Sequence, residues 1–334
     1  MNEALPGRVE FVLSRTEESW SWRWAGLAAV VAELSDLVRR GTGRVVVERV
    51  VETLVVAVAA DREHRVPLAG LVDRVLDLHV VACVGEPPDP VALADWLLRV
   101  QVDFAESPEV RLAPYATALG AAGLARYRRE AVSRFAPLPV VGFGVPGRYD
   151  RTRWALLRVM EELAEHTGDV DLHVLVLGKD LSSGWQYLRV ATALRDAGRS
   201  REAVEWVRRG AEATSWRGAA ARLVDLAVDE CLRVGWIEEA WRWRWDAFTG
   251  RPAADTYARL RSLSGDRWPR VRDRALALLP PAELRAVLST ELSAAHGTRV
   301  HEWLARAVDL LGPEAALLGP EAAATLAAEL ADRG

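Results

Sequence analysis

Apolar residues recur along this chain at intervals of three and four, which is the spacing of an amphipathic helix. The first clear stripe consists of Trp20, Trp24, Leu27, Val31 and Leu34. Before it, Ser14 and Glu17 have the spacing of a capping box, which predicts that the helix starts there. Further helical patterns follow, with proline-containing breaks between several of them, at about 67–82, 90–104, 113–120 and 122–134.

The valine-rich run at 44–60 is open to two interpretations. Its β-branched residues favour a strand. Its period favours a helix, because one face carries Val47, Val50, Val51, Leu54 and Val58. We predict a helix.

An internal repeat with an offset of 37 residues predicts the architecture of the second half. Two stretches, starting near 187 and 224, align so that Gly198 matches Gly235 and Trp206 matches Trp243. The pattern is a helix, a glycine turn and a second helix, as in tetratricopeptide-like repeats. A degenerate third unit places Tyr257, Gly265 and Ala275 in comparable roles.

The fold class expected from these patterns is all-α, with tetratricopeptide-like or HEAT-like helix pairs stacked as an α-solenoid. Four regions are predicted: an N-terminal helical region at 1–135, a Pro/Gly-rich linker at 136–149, helical repeats at 150–280 and capping helices at 281–334. In the last region, Pro313 and Pro320 have the positions of first helical residues.

A GxGxxG match within 136–149 offers the alternative of a dinucleotide-binding loop. Its glycines are Gly142, Gly144 and Gly147. Such a loop needs a strand before it and an acidic residue after a second strand. The prolines in the loop and the lack of any other βαβ pattern favour the linker, so we predict no cofactor.

Composition narrows the possible functions. The chain of 334 residues carries a formal net charge of -4, which leaves no global field that would attract nucleic acid. Its two cysteines, Cys83 and Cys231, lie singly in apolar runs, as expected in a reducing compartment. We find no export leader and no membrane-spanning run, and we expect a cytoplasmic protein.

Residues from about 45 to 280 resemble the helical-repeat region of bacterial, especially actinobacterial, proteins that often carry an N-terminal SWIM zinc finger. The similar stretches include "DPVALADWLLRVQVD", "YATALGAAGLARYR" and "KDLSSGWQYLRVATALRDAGRSREAVEWVRRG". The resemblance implies that "DVDLHVLVLGKDL" is helical. It also implies a multi-protein system with AAA+ ATPase or von Willebrand A-type partners.

The zinc site of those proteins does not carry over. A SWIM finger needs a CxC pair followed by a CxH pair, and this sequence has neither. No histidine pair has zinc-helix spacing, and no P-loop or GxSxG elbow is present. We therefore predict no metal and no catalytic residue, and leave open an enzyme whose site is assembled from distant residues.

The stretch "WRWRW" at 241–245 is the candidate partner-binding site. At about 100° per residue, its three tryptophans fall in one apolar arc of a helix, and Arg244 falls within that arc. Trp241, Arg244 and Trp245 are the residues that we assign to partner binding. Two interpretations of Arg244 remain open: an ion pair with a carboxylate such as Asp225 or Asp229, or an arginine in a groove that holds a partner's anionic group.

The function expected from these observations is a non-catalytic scaffold or adaptor that binds a protein or peptide in its groove. One alternative is a nucleic-acid-associated adaptor with an arginine-rich face, whose binding would depend on salt. A weaker alternative is an all-α enzyme with a small-molecule pocket.

Overall fold

The computed structural model describes residues 4–104, 108–145, 150–215 and 219–332. This part of the chain is all-helical and contains no β-strand. The helices are α1 (Ala4–Ser14), α2 (Trp20–Arg39), α3 (Arg44–Ala60), α4 (Arg65–Gly85), α5 (Pro90–Val102), α6 (Ala116–Phe135), α7 (Arg151–Thr167), α8 (Val170–Leu177), α9 (Gly184–Asp196), α10 (Ser200–Ala213), α11 (Ala220–Arg233), α12 (Ile237–Gly250), α13 (Ala254–Ser264), α14 (Trp268–Leu278), α15 (Pro281–Ala294), α16 (Thr298–Leu311) and α17 (Pro320–Asp332). Short 3₁₀ turns cover Ala113–Tyr115, Gly265–Arg267 and Gly312–Leu318.

The chain divides into two compact units, Met1–Ser182 and Ser183–Gly334. In the first unit, α3 packs against α4, α5 packs against α6, and α7 packs against both α5 and α6. One hydrophobic cluster runs through this unit from Leu5 to Val176. The four regions predicted from sequence stay predictions, and residues 136–145 lie inside the first unit.

The valine-rich run is a helix, as its period predicts. Residues Arg44–Ala60 form α3, and the predicted apolar face is buried. The pattern at 113–120 begins with the 3₁₀ turn Ala113–Tyr115 and continues into α6, where Gly120 (φ 52°, ψ -167°) leaves helical geometry and separates it from the pattern at 122–134. Glycine tolerates this conformation because it has no Cβ.

The predicted capping box is wrong. Ser14 is the last residue of α1, and its hydroxyl donates to the Phe11 carbonyl at 2.8 Å. The cap of α2 is Ser19, whose side chain accepts from the Trp22 amide at 3.3 Å. The cap lies about one turn later than predicted because α1 extends to Ser14.

A dinucleotide-binding loop needs a strand before it and a second strand after the helix, and the described residues contain neither strand. The segment "DVDLHVLVLGKDL" contains helix α8, as the resemblance implied. Gly142 and Gly144 lie in a turn, and Gly147 lies outside the described residues. The only β-type contact in the described chain is an isolated parallel bridge between Val141 and Asp180.

The 37-residue repeat is present in the backbone of the second unit. After α9, the backbone amide of Arg199 donates to the Leu194 carbonyl at 2.8 Å. After α11, the backbone amide of Trp236 donates to the Cys231 carbonyl at 2.7 Å. Between these residues, Gly198 (φ 74°) and Gly235 (φ 81°) both adopt the left-handed conformation that ends a helix. The two helix pairs, α9 with α10 and α11 with α12, therefore turn in the same way.

The degenerate third repeat, which also lies in the second unit, departs from this pattern. Tyr257 and Ala275 are buried, as the alignment predicts. Gly265 starts a 3₁₀ turn before α14, and α13 packs against α12, α14 and α15. At the C-terminal end, Pro320 starts an α-helix as predicted, whereas Pro313 lies in a 3₁₀ turn.

Candidate functional site

Two of the predicted tryptophans of α12, Trp241 and Trp245, pack against the following helices, whereas Trp243 lies beside Arg208 of the earlier helix α10. Trp241 and Trp245 stack on each other, with ring centroids 5.5 Å apart and planes 14° apart. The Trp241 indole donates to the Ser264 hydroxyl at the end of α13, at 3.0 Å. Trp243 is buried, and Trp241 and Trp245 are half-buried. The tryptophans therefore tie α12 to its neighbours.

Arg244 forms the ion pair with Asp225 that was one of the two interpretations of its sequence position. Its Nη1 donates to Asp225 Oδ1 at 2.6 Å, and the arginine side chain is 14% exposed. Arg259 donates to both oxygens of the same carboxylate, at 2.6 and 2.8 Å. Asp225 thus connects α11, α12 and α13.

The two arginines keep Asp225 ionised. Its partial burial opposes the charge, but the hydrogen bonds and charges of Arg259 and Arg244 outweigh burial, so the pKa of Asp225 lies below its ordinary value. Direct contact between Arg244 and a partner stays a prediction.

Arginines cover tryptophan faces throughout the second unit. The cationic carbon of Arg201 lies 3.7 Å from the ring centre of Trp236, and that of Arg208 lies 5.0 Å from Trp243. Arg267 and Arg274 lie over the two stacked rings of α12, at 5.6 and 5.0 Å. These stacking faces are occupied by the chain's own cations, which leaves them poorly suited to stacking on bases.

A cleft of about 330 Å³ lies between α13 and α15. Small apolar side chains line part of it, among them Ala254, Ala258 and Val287, and the hydroxyls of Ser262 and Thr290 also line it. This combination of an apolar surface with a few polar groups is typical of binding sites.

An ion pair lies in the wall of this α13–α15 cleft. Arg261 donates to Glu291, whose side chain is 4% exposed. Burial raises the pKa of Glu291 above its ordinary value, although Arg261 acts in the opposite direction. Tyr257 also lines the cleft, and its buried hydroxyl has no hydrogen-bond partner among the described residues. No sequence pattern singles out Glu291, because its burial depends on the contact between α13 and α15.

A buried polar network in the first unit has the residue types of a catalytic triad. His79 is fully buried, with Nδ1 at 3.1 Å from the Tyr115 hydroxyl and Nε2 at 3.3 Å from Glu48. The Cys83 sulfur lies 3.7 Å from His79 Nε2. Burial raises the pKa of the Cys83 thiol to about 12, so the thiolate needed for nucleophilic attack is scarce near neutral pH. The geometry favours a structural network that connects α3, α4 and Tyr115.

One group of side chains in the described part of the chain has metal-ligand geometry. Glu161 and Glu165 lie one turn apart on α7, and His173 on α8 completes the group, with ligand atoms within 4.8 Å of one another. His173 Nε2 lies 3.7 Å from Glu161 Oε1. Glu165 is exposed, and exposed acidic groups of this kind commonly hold no ion.

Comparison with known proteins assigns no family. No family model matches the chain, and no curated protein matches it significantly. Among the described helices, none combines the length and the apolar character needed to cross a bilayer.

Proposed function

We propose that this protein is a non-catalytic helical-repeat adaptor whose second unit binds a segment of a partner protein. The observation that carries the proposal is the α13–α15 cleft, with its apolar surface and the ion pair between the partly exposed Arg261 and the buried Glu291. Tetratricopeptide-like or HEAT-like helix pairs stacked as an α-solenoid commonly present such surfaces to peptides. The equivalent turns at Gly198 and Gly235 support this architecture.

The residues assigned to partner binding from sequence have a role in this proposal. Trp241 bonds to Ser264 at the end of α13, and Arg244 shares Asp225 with Arg259 of α13. Both contacts fix the helix that forms one wall of the cleft. We propose that Trp241, Arg244 and Trp245 support the binding surface from behind and that Arg261 and Ser262 meet the partner.

The pairing of arginines supports a protein partner over nucleic acid. A nucleic-acid surface needs cationic groups that can neutralise phosphates. In the second unit, many arginines bond to carboxylates of the chain itself, as Arg201 does to Glu239 and Arg233 does to Glu230. The resemblance to SWIM-associated proteins supplies candidate partners, namely AAA+ ATPases and von Willebrand A-type proteins, and we propose a cytoplasmic setting.

Site-specific photo-crosslinking tests the proposal. We would place a benzoylphenylalanine at Ser262, which lines the cleft, and in a control protein at Ser289, an exposed position on α15 outside the lining. After irradiation in cells of the source organism, one protein should crosslink to position 262 and be absent from the control. Crosslinks to nucleic acid, or equal crosslinks from both positions, would contradict the proposal.

A further inference from the structure

A second cleft lies in the first unit, where the start of α2 meets α1, the last turns of α3 and the segment 61–64. Its volume is about 640 Å³, within the range of small-molecule sites. One part of its lining is apolar, formed by Leu13, Val56, Ala57 and Ala60. The other part contains Arg23, Asp61 and His64. We call this space the Arg23 cleft.

Arg23 has an unusual environment for an arginine. Its side chain is 9% exposed, because it lies on the same face of α2 as the buried stripe of Leu27 and Leu34. A guanidinium has five N–H groups, and a buried cation normally satisfies them with acceptors. Within the described chain, Nε has no acceptor, and the only contacts of the other two nitrogens are long: 3.4 Å from Nη1 to Asp61, and 3.5 Å from Nη2 to His64.

Asp61 forms its shortest hydrogen bonds with His64. It accepts from the His64 backbone amide at 3.0 Å and lies 3.0 and 3.1 Å from the His64 Nδ1. These contacts are shorter than the one from Arg23. Burial opposes the charge on Asp61, but the His64 bonds and the Arg23 charge outweigh it, so the pKa of Asp61 is below its ordinary value. Asp61 therefore stays an anion that is bonded to histidine.

This pairing leaves Arg23 short of acceptors. When His64 Nδ1 carries the hydrogen that it donates to Asp61, Nδ1 has no lone pair for Arg23. The contact from Nη2 is then not a hydrogen bond, and a single bond at 3.4 Å is all that the described protein offers to the guanidinium. The guanidinium is thus a buried cation whose hydrogen-bonding capacity is largely unused.

An aromatic platform holds these groups in place. The His64 ring stacks on Trp20, with centroids 4.0 Å apart and planes 13° apart. The cationic carbon of Arg23 lies 5.1 Å from the same indole. Cation–π contact and stacking fix the orientation of both groups before any ligand arrives.

We propose that the Arg23 cleft binds a small organic monocarboxylate, with its carboxylate on the Nη1 and Nη2 groups of Arg23 and its apolar body against Val56 and Ala57. Two oxygens on a planar fork match the arrangement of the two terminal nitrogens. Glu10, Glu63 and Arg62 also line the cleft, and the two carboxylates outnumber this second arginine, which disfavours ligands with more than one negative charge. The carboxylate would supply well-placed acceptors to Nη1 and Nη2, whose contacts within the described chain are long.

Calorimetric titration of the full chain tests this proposal with three probes that each carry a polar group one atom away from a benzene ring. Phenylacetate carries one negative charge, phenylacetamide is its neutral counterpart, and phenyl phosphate carries close to two charges. We expect phenylacetate to bind with a Kd at or below about 1 mM. We expect the amide and the phosphate to bind at least about tenfold more weakly, because one lacks the charge and the other meets Glu10 and Glu63.

Three variants assign the binding to this cleft. Arg23→Gln should weaken phenylacetate binding by about tenfold or more, and the exposed Arg39→Gln on the same helix should leave it unchanged. Val56→Trp keeps Arg23 and places a bulky ring in the apolar part of the cleft, where the body of the ligand would lie, so it should also weaken binding by about tenfold or more even if Arg23→Gln fails to fold. Absence of saturable phenylacetate binding, equal affinity for the amide, or unchanged binding in Val56→Trp would overturn the proposal. None of these results bears on the α13–α15 cleft, since the Arg23 cleft lies in the other unit.

Discussion

Arg244 is held by a carboxylate of the preceding helix. Replacing it with alanine removes a charge-assisted hydrogen bond at 2.6 Å and the packing of its aliphatic stem. Arg259 remains on Asp225 and prevents that carboxylate from being left unpaired. We therefore expect Arg244→Ala to lower the free energy of unfolding by about 1–2 kcal/mol, measured by urea titration.

The neighbouring Arg242 serves as the control for Arg244. It is exposed on the same helix, and Arg242→Ala should change the free energy of unfolding by less than about 0.5 kcal/mol. A variant Arg244→Ala with unchanged stability and lost partner binding would instead make Arg244 a direct binding residue.

The Glu48 network predicts a dependence of stability on pH. Burial opposes the charge of Glu48, but the His79 hydrogen bond and the Arg44 charge outweigh it, so its pKa is lowered from the ordinary value of 4.5. A group whose pKa is lower in the folded state stabilises that state above its unfolded pKa and loses the contribution as pH falls through the folded pKa. Glu48→Gln should therefore cost stability at pH 7 and progressively less below about pH 4.

Urea titrations of wild-type protein and Glu48→Gln across this pH range measure the effect. The difference between their unfolding free energies should shrink as acid protonates Glu48 in the wild type. A difference that stays constant between pH 7 and pH 3 would show that the role of Glu48 does not depend on its charge.

At the scale of elements, each of the two matching repeats has a left-handed glycine at the end of its first helix. Gly235 adopts a left-handed conformation (φ 81°) in which a side chain is strained, although a Cβ there would meet no atom within 4 Å. The cost of Gly235→Ala is therefore conformational, and we expect a loss of about 1–2 kcal/mol in the free energy of unfolding.

Gly70 provides the opposite case for the same substitution. It lies within helix α4, and a methyl group added to its Cα would extend into open space. Gly70→Ala should raise stability by up to about 1 kcal/mol, because alanine has the higher helix propensity. Thermal unfolding of Gly235→Ala and Gly70→Ala measures both changes in stability. Equal changes would show that the left-handed backbone at Gly235 does not determine the cost of the alanine.

At the scale of the whole molecule, the first unit has a hydrophobic cluster of its own. Buried residues from Leu5 to Val176 belong to this cluster, and the unit ends at Ser182. We expect a fragment of residues 1–182 to give a helical circular dichroism spectrum and to unfold cooperatively on heating. A fragment that unfolds gradually would show that this unit depends on the rest of the chain.

Local pattern was enough to predict the helical class and the repeat. The face of Val47, Val50 and Leu54 identified α3, and the spacing of Gly198 and Gly235 identified two equivalent turns. Arg23 shares a helix face with Leu27, so its burial was within reach of the same helical geometry that singled out Arg244. The contacts of Asp61 with His64 and Arg23, and those of Arg261 with Glu291, depend on which elements meet in space, and periodicity carries no information about that.

The equivalent turns after α9 and α11 mark the two ends of one 37-residue repeat in the second unit. The backbone has the same conformation and the same hydrogen bonds at Gly198 as at Gly235. Removing residues 199–235 would join the end of α9 directly to the start of α12 and preserve the local geometry at the junction. We therefore expect insertions and deletions of 37 residues at this point to keep the existing turn, so that the length of the repeat region can change without a change in turn geometry.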